Sequence, residues 1–413
     1  MGKKNKIILI HTLNFFEQDG ATANRWRTMV EGLAKAGFDI EIIFTQGYLS
    51  IKEFKKFGRF GKIKNISYSY TTYLLHNSLW MRRISGYILS PLFKKLNALS
   101  VRKRINEIKP EIIWLFPALE VFDLYLLISE HIKLPNCKLM IEMNEFHDVG
   151  LLHSTNRFQI ESSKRYSKIL LNDILPKMDL FLIMTKNLLN YYRQFADPSK
   201  AKILHLPMTV DMKRFNLKRD PKDRYIAYCG SSSFLKDGVD ILIKSFAIIQ
   251  KKYPGVILKI AAFMEADGRK MLALINELGL DDKINYVGEL QNDKIPEFII
   301  NAEVLLLPRP DSKQAQGGFP TKLGEYLSTG NAVCATRVGE IPDYLADNES
   351  VFFAEPGSVD SFAEAMDRAL SDPGKAKDIG RQGKKVAEKN FDIEVQAERL
   401  GSFINNQIIQ STI

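Results

Sequence analysis

Short apolar runs recur along the chain, separated by polar or glycine-containing stretches and by longer segments whose apolar positions fall at helical spacing. Residues 6–10, 38–45, 111–116, 138–143, 178–185 and 201–207 have the near-continuous apolar character of strands buried on both faces. Residues 23–36 and 121–132 carry helical periodicity, the first segment ending at Gly37. Residues 6–45 therefore form a strand–helix–strand unit of the usual length, ~30 residues or more. After a connector at 206–215 the alternation restarts, with strands at 225–229, 256–263, 284–287, 303–308, 332–336 and 351–353. A segment at 296–302 continues it, and residues 391–407 form a closing helix. Such alternation predicts an α/β protein with parallel sheets, and 413 residues predict two domains with full-sized cores.

Residues 305–344 concentrate the candidate chemistry. The run at 303–308 ends at Pro308, and the polar loop after it ends in Gly317-Gly318-Phe319-Pro320. Pro320 suits the first position of a helix, Leu323, Tyr326 and Leu327 share one face of it, and Gly330 sits where a C-terminal cap belongs. Two glycines thus open a helix just past the carboxyl end of a parallel strand, where open α/β sheets bind ligands. Free N–H groups and the helix dipole there suit a phosphate or a sugar oxygen. Glu325 lies a turn further in.

This stretch resembles the signature of retaining glycosyltransferases of the GT-B fold, glycosyltransferase family 4. That signature sets two glutamates eight positions apart around a glycine-rich helix start, then G-x-P-V-V-A-T and G-x-x-x. Glu325 matches the second glutamate, and Gly330 to Thr336 with Val338-Gly339-Glu340-Ile341 matches the tail. Gly317 stands where the first glutamate would be, and some branches of the family carry F-P-T-K-L-x-E-Y-L in this form. The resemblance implies two Rossmann-like, doubly wound domains facing a central cleft. Residues 1–207 would form the acceptor domain, joined by a helix at 391–413 packing back on it, and residues 208–390 the nucleotide-sugar donor domain. The connector resembles P-x-G-x-D-x-x-x-F, with Asp211 and Phe215 retained and Thr209 in the glycine's place.

Carried over residue by residue, the resemblance implies donor contacts from Gly317, Gly318, Phe319, Pro320, Thr321, Lys322 and Glu325, the last holding the ribose hydroxyls. Ser231 follows the glycine where the family often has an arginine, and Lys236 matches the lysine of K-G-x-D. Lys236, near two helix starts, is a candidate diphosphate clamp, and Arg309 can supply the missing charge. Gly20 and Arg25 match the family's first loop and helix loosely, and any α/β unit needs such a turn. Asn144 and Glu145 follow a strand's carboxyl end and fall at the register where a polar group approaches the donor sugar; they are the candidate catalytic pair. Glu145 could equally be a solvated loop carboxylate.

Composition changes the picture in one region. Residues 51–105 hold thirteen Lys or Arg against the single acid Glu53, an excess of twelve where the whole chain carries net +10. Between 74 and 99, leucines, Trp80, Met81, Tyr87 and Phe93 interleave with those bases. Residues 74–104 read as an interfacial helix on an anionic membrane, each base adding about 1 kcal/mol. A solvated basic face over a helix packed on the sheet gives the same pattern. No motif accompanies a nucleic-acid footprint, so no nucleic acid is expected.

The remaining features exclude rather than assign. Cys137, Cys229 and Cys334 lie in apolar runs without C-x-x-C spacing, as buried thiols do in a reducing compartment. The first apolar run is too short for a signal peptide, Lys6 occupies the place of a myristoylation motif's serine, and no run approaches the ~20 residues of a membrane span. A cytoplasmic protein, peripheral at the inner face of the cell membrane, is expected. D-x-D, P-loop, dinucleotide and G-x-S-x-G motifs are absent. His147 and His153 lack a third partner, so no metal site and no cofactor are expected. The expected function is metal-independent, retaining transfer of a sugar (EC 2.4) from a UDP- or GDP-linked donor. Its acceptor would be a lipid-linked or cell-surface glycan, as in polysaccharide biosynthesis. A GT-B epimerase, or a catalytically silent GT-B partner protein, would share the donor pocket.

Overall fold

The computed structural model describes residues 5–12, 14–16, 21–45, 48–71, 74–76, 90–119, 121–147, 157–221, 223–265 and 267–409. The first half supplies strands β1 (Lys6–His11), β2 (Asp39–Phe44), β3 (Tyr48–Ser50), β4 (Phe60–Ile63), β5 (Ile66–Tyr70) and β6 (Leu74–His76). It continues with β7 (Ile112–Leu115), β8 (Lys138–Met143), β9 (Leu180–Ile183) and β10 (Lys202–His205). Eight of these build one sheet in the order β10-β9-β8-β7-β1-β2-β5-β4, parallel except for the β4–β5 hairpin. The second half adds β11 (Tyr225–Ser231), β12 (Ile257–Phe263), β13 (Ile284–Gly288), β14 (Val304–Leu307), β15 (Ala332–Thr336) and β16 (Phe352–Ala354). They form an all-parallel sheet in the order β13-β12-β11-β14-β15-β16.

The apolar runs become central strands because both their faces are covered. Ile7, Ile8, Leu9 and Ile10 are wholly buried, Ile8 and Ile10 in one core cluster and Ile7 and Leu9 in another. The antiparallel hairpin was hidden in the basic region. Its two-residue turn, Lys64-Asn65, places Lys64 at φ +56°, while Ile66, Tyr68 and Tyr70 alternate into the core.

The closing helix Ile393–Ile409 returns to the first sheet, burying Leu400 and Ile404 in the same cluster as Ile7 and Trp26. Gly32 on helix Ala21–Lys35 has no room for a side chain, since a Cβ there would overlap that of Ala397. Asn5 also donates to Asn405 at 2.8 Å. Behind the cleft the halves share one apolar core in which Met184, Leu188 and Met208 join Phe319 and Leu323. The connector is pinned on both sides, Thr209 Oγ1 lying 2.6 Å from Thr28 Oγ1 and Val210 N donating to Phe391 O at 2.8 Å.

One continuous helix across 74–104 does not exist. Residues 74–76 are β6, paired in parallel with β3, and the helix spans Ser90–Ile108. Trp80, Met81, Arg82, Arg83 and Tyr87 lie outside the described residues. Val101 and Ile105 bury one side of the helix against the sheet. Arg104 pairs with Glu41 at 2.5 Å, and Arg102 with Glu130 at 3.3 Å. No helix among the described residues is long and apolar enough to cross a membrane.

Candidate functional site

A cavity of about 510 Å³ lies between the two halves. In the second sheet the strand order reverses at β11, flanked by β12 and β14, and the cavity sits over the carboxyl ends of these strands. Ser231 closes β11 and Arg309 follows β14, so the topology brings residues far apart in sequence to one crevice. The helix Thr321–Thr329 opens onto it and ends at Gly330, whose φ of +76° gives the left-handed cap that glycine favours. Helix numbering is offset by one from expectation, Pro320 being the N-cap and Thr321 the first helical residue. The loop before it also contains a short helix, Lys313–Gly317, capped by Ser312 Oγ accepting from Ala315 N at 3.1 Å.

Lys322 projects from the first turn across the end of β11. Its Nζ lies 2.5 Å from Asp237 Oδ1 and 3.1 Å from the Tyr228 hydroxyl, and the Ser231 hydroxyl donates to Asp237 Oδ2 at 2.6 Å. Gly230 leaves the space this lysine occupies, because a Cβ there would overlap Nζ. Burial pushes the Asp237 carboxyl up, but Lys322, Ser231 and Arg309 together outweigh it and hold it at about 2. Lys236, on the neighbouring short helix Phe234–Asp237, is exposed on the cavity wall.

Arg309 is 7% exposed, and the only hydrogen bond of its side chain among the described residues is Nη1 to Gly318 O at 3.4 Å. Its Nε is buried without a partner. Burial lowers its pKa, opposed by the charges of Asp237 and Glu145. A buried, incompletely bonded guanidinium at a cavity wall is costly to the empty protein, and an anion in the cavity would satisfy it. Glu325 also faces the cavity. Burial raises its pKa against the opposing charge of Arg214, whose Nη1 donates to Glu325 Oε1 at 3.0 Å.

The first domain supplies Thr22, Asn24, Arg25, Asn144, Glu145 and Met184 to the opposite wall. Asn144 and Glu145 follow β8, and the Glu145 carbonyl accepts from the Tyr192 hydroxyl at 2.7 Å. Arg25 is committed elsewhere: its guanidinium bonds the fully buried Glu142 and donates to Pro207 O at 2.6 Å and Leu206 O at 3.0 Å. It fixes the connector rather than offering a free charge.

Of the expected donor contacts, Ser231, Lys236, Arg309, Gly318, Phe319, Pro320, Thr321, Lys322 and Glu325 all line this one cavity, with Asn144 and Glu145 opposite. Gly317 does not. It is buried beneath Phe146, and its carbonyl accepts from Thr185 Oγ1 at 2.7 Å, so it serves the interdomain contact. Gly20 and His153 lie outside the described residues, and no metal-binding cluster of three or more His, Cys, Asp or Glu exists among those described. Sequence reasoning missed Asp237, Arg214, Asn24 and Asn292. Asp237 carried one signal, an acid set between Lys236 and Gly238. The other three have none, because their partners lie on distant elements.

Residues 210–386 match the family model described as glycosyl transferases group 1. That segment contains every second-domain residue that lines the cavity. The MMP alpha-(1->4)-mannosyltransferase of Mycolicibacterium hassiacum is 27% identical over 191 residues, covering 46% of this chain and 44% of that one. A GDP-mannose-dependent alpha-(1-6)-phosphatidylinositol monomannoside mannosyltransferase of Mycolicibacterium smegmatis is 24% identical over 226 residues, 51% of this chain and 58% of the relative. The chain spans about half the length of the curated relatives it matches. Among solved structures, sucrose-phosphate synthase from Thermosynechococcus elongatus superposes with TM-score 0.73 at 16% identity, covering 98% of this chain and 100% of that chain. Anabaena HepE in complex with UDP superposes with TM-score 0.68 at 13% identity, covering 97% and 100%. The fold is GT-B, with two Rossmann-like domains around a cleft.

Proposed function

We propose that the protein is a glycosyltransferase that moves a hexose from a nucleoside-diphosphate sugar to a glycan acceptor, with retention at the anomeric carbon and without a metal ion. The observation that carries this reading is Arg309, buried with an unpartnered Nε at the wall that also presents Lys322, Lys236 and the start of helix Thr321–Thr329. When the bond between the anomeric carbon and phosphate breaks, negative charge grows on the leaving diphosphate. Preorganised cations and N–H groups stabilise that charge without reorganising, usually the largest electrostatic contribution to such a step. Glu325 receives the ribose hydroxyls, and Asn144 with Glu145 faces the sugar from the opposite domain. Closure between two domains keeps out the water that would otherwise hydrolyse the donor.

Both mycobacterial relatives are named as mannosyltransferases, and the second name, which prints GDP-mannose and phosphatidylinositol monomannoside, supports a nucleoside-diphosphate hexose donor and a lipid-linked acceptor. We place the protein at the inner face of the cell membrane, held by the basic segment 74–104. The test is a thermal-shift screen of UDP- and GDP-linked sugars, since a ligand that binds only the folded state raises its melting point. The donor that shifts it should then lose its nucleoside diphosphate in the presence of acceptor, giving a product whose anomeric configuration, read by NMR, matches the donor's. An inverted product overturns retention; release of nothing from any bound donor overturns the transferase reading.

A further inference from the structure

Arg214 does not line the cavity, yet it touches the residues that do. It sits on the turn Met212–Phe215, just after the connector. Besides Nη1 on Glu325 at 3.0 Å, its Nη2 donates at 2.8 Å to both the carbonyl and the side-chain oxygen of Asn292. Asn292 Nδ2 then donates to Asn24 Oδ1, 3.2 Å away on the first domain's opening helix. Glu325, Asn292 and Asn24 all face the cavity. One forked guanidinium, itself only a quarter exposed, therefore joins the connector, the cavity floor and, through an amide, the opposite wall.

We propose that Arg214 is a positioning residue that holds the Glu325 carboxylate as an ion pair turned to the cavity and couples it, through Asn292 and Asn24, to the first domain. The proposal rests on the nucleotide-sugar reading, in which Glu325 binds the ribose. Four groups face this carboxylate: Arg214 from the connector, Lys322 from its own helix, the Cys229 thiol from β11, and the Tyr326 hydroxyl. Lys322 is already held by Asp237, and the Cys229 thiol, pushed up to about 12 by burial, stays neutral. Arg214 is thus the one cation hydrogen-bonded to Glu325 among the described residues. Without it, burial alone would act on the carboxyl and it would take up a proton more readily as pH falls, and a protonated acid grips two hydroxyls less well.

The test compares wild type, Arg214→Met, Arg214→Lys and Glu325→Gln, titrated calorimetrically with UDP and GDP at about pH 5.5 and about pH 8, the lower lying nearer the ordinary carboxyl range. Relative to wild type at the same pH, Arg214→Met should bind about tenfold more weakly at the lower pH and recover toward the higher one. Arg214→Lys, which keeps the charge, should restore most of the loss, and Glu325→Gln should lose affinity equally at both pH values. A loss in Arg214→Met that is the same at both overturns the proposal, because a merely structural arginine would behave so. Melting temperatures, read without ligand, separate this claim from the nucleotide reading. The deficit of Arg214→Met should grow as pH rises and the unpaired Glu325 is forced to ionise, and adding Glu325→Gln should abolish that growth. A deficit flat with pH overturns the ion-pair role even if wild type binds neither nucleotide, an outcome that would by itself overturn the nucleotide reading.

Discussion

Phe146 of the first domain lies directly over Gly317 of the second, so that a Cβ built at Gly317 would overlap ring atoms Cε2 and Cδ2 and stand 3.3 Å from Leu188 Cδ2. The ring is fixed on its other sides, edge-on to Tyr191 at 5.1 Å between centroids, with the Lys313 ammonium 5.5 Å from its centroid. Gly317 → Ala should therefore destabilise the protein by ~1–3 kcal/mol, as overpacking does. Phe146→Ala should relieve it, so the double variant should unfold at higher denaturant than the sum of the single effects allows. Additive single effects would mean that the ring does not close this position.

Arg309 separates binding from stability. Replacing it with Met removes a buried charge with an unpartnered Nε, so the empty protein should melt no lower than wild type. Affinity for a nucleoside diphosphate should nevertheless fall about 10- to 100-fold, the ~1.5–3 kcal/mol of a charged hydrogen bond. Unchanged calorimetric affinity would remove Arg309 from the site.

Asp237 gives a pH window. Its carboxyl is held at about 2, below the ordinary 3.8, so its ion pair stabilises the fold above pH 3.8 and that stability is lost as pH falls toward about 2. Asp237→Ala should cost about 3 kcal/mol at neutral pH, because Lys322 is left without its buried partner. In the same variant the acid-side fall in melting temperature should be shallower than in wild type. An identical acid limb in both would place the titration elsewhere.

The elements around the cleft were legible because parallel strands buried on both faces have to be apolar runs, as at Ile7 to Ile10 and Val304 to Leu307. Gly318 to Lys322 was legible for a different reason: glycine, proline and a helix face in succession leave few alternatives. Gly317 misled because a glycine beside a helix start reads as room for a ligand, whereas here it is room for Phe146. The β4–β5 hairpin escaped because apolar Phe60 faces outward with Lys62, while two of the three inward residues that alternate on β5 are tyrosines, which blurs the alternation. Arg214, Asn292 and Asn24 could not be read at all, since their meeting depends on how the two domains sit together.

The basic segment makes a further prediction. Arg102 and Arg104 are bound to Glu130 and Glu41, so the membrane test addresses other bases of the segment. Substituting Arg82, Arg83, Lys94 and Lys95 with glutamate should abolish co-sedimentation with anionic vesicles and leave nucleotide affinity intact. Wild-type binding should weaken as salt rises, since exposed charges are screened over ~8 Å at physiological ionic strength. Wild type that ignores such vesicles at low salt would rule the membrane out.

The most direct measurement is the structure of the protein saturated with the nucleotide sugar selected by thermal shift. The diphosphate oxygens should lie ~3 Å from the Arg309 guanidinium and the Lys322 ammonium, with the ribose on Glu325 and the sugar facing Asn144 and Glu145. A nucleotide bound outside this cleft, or inside it with the diphosphate remote from Arg309, would contradict the account.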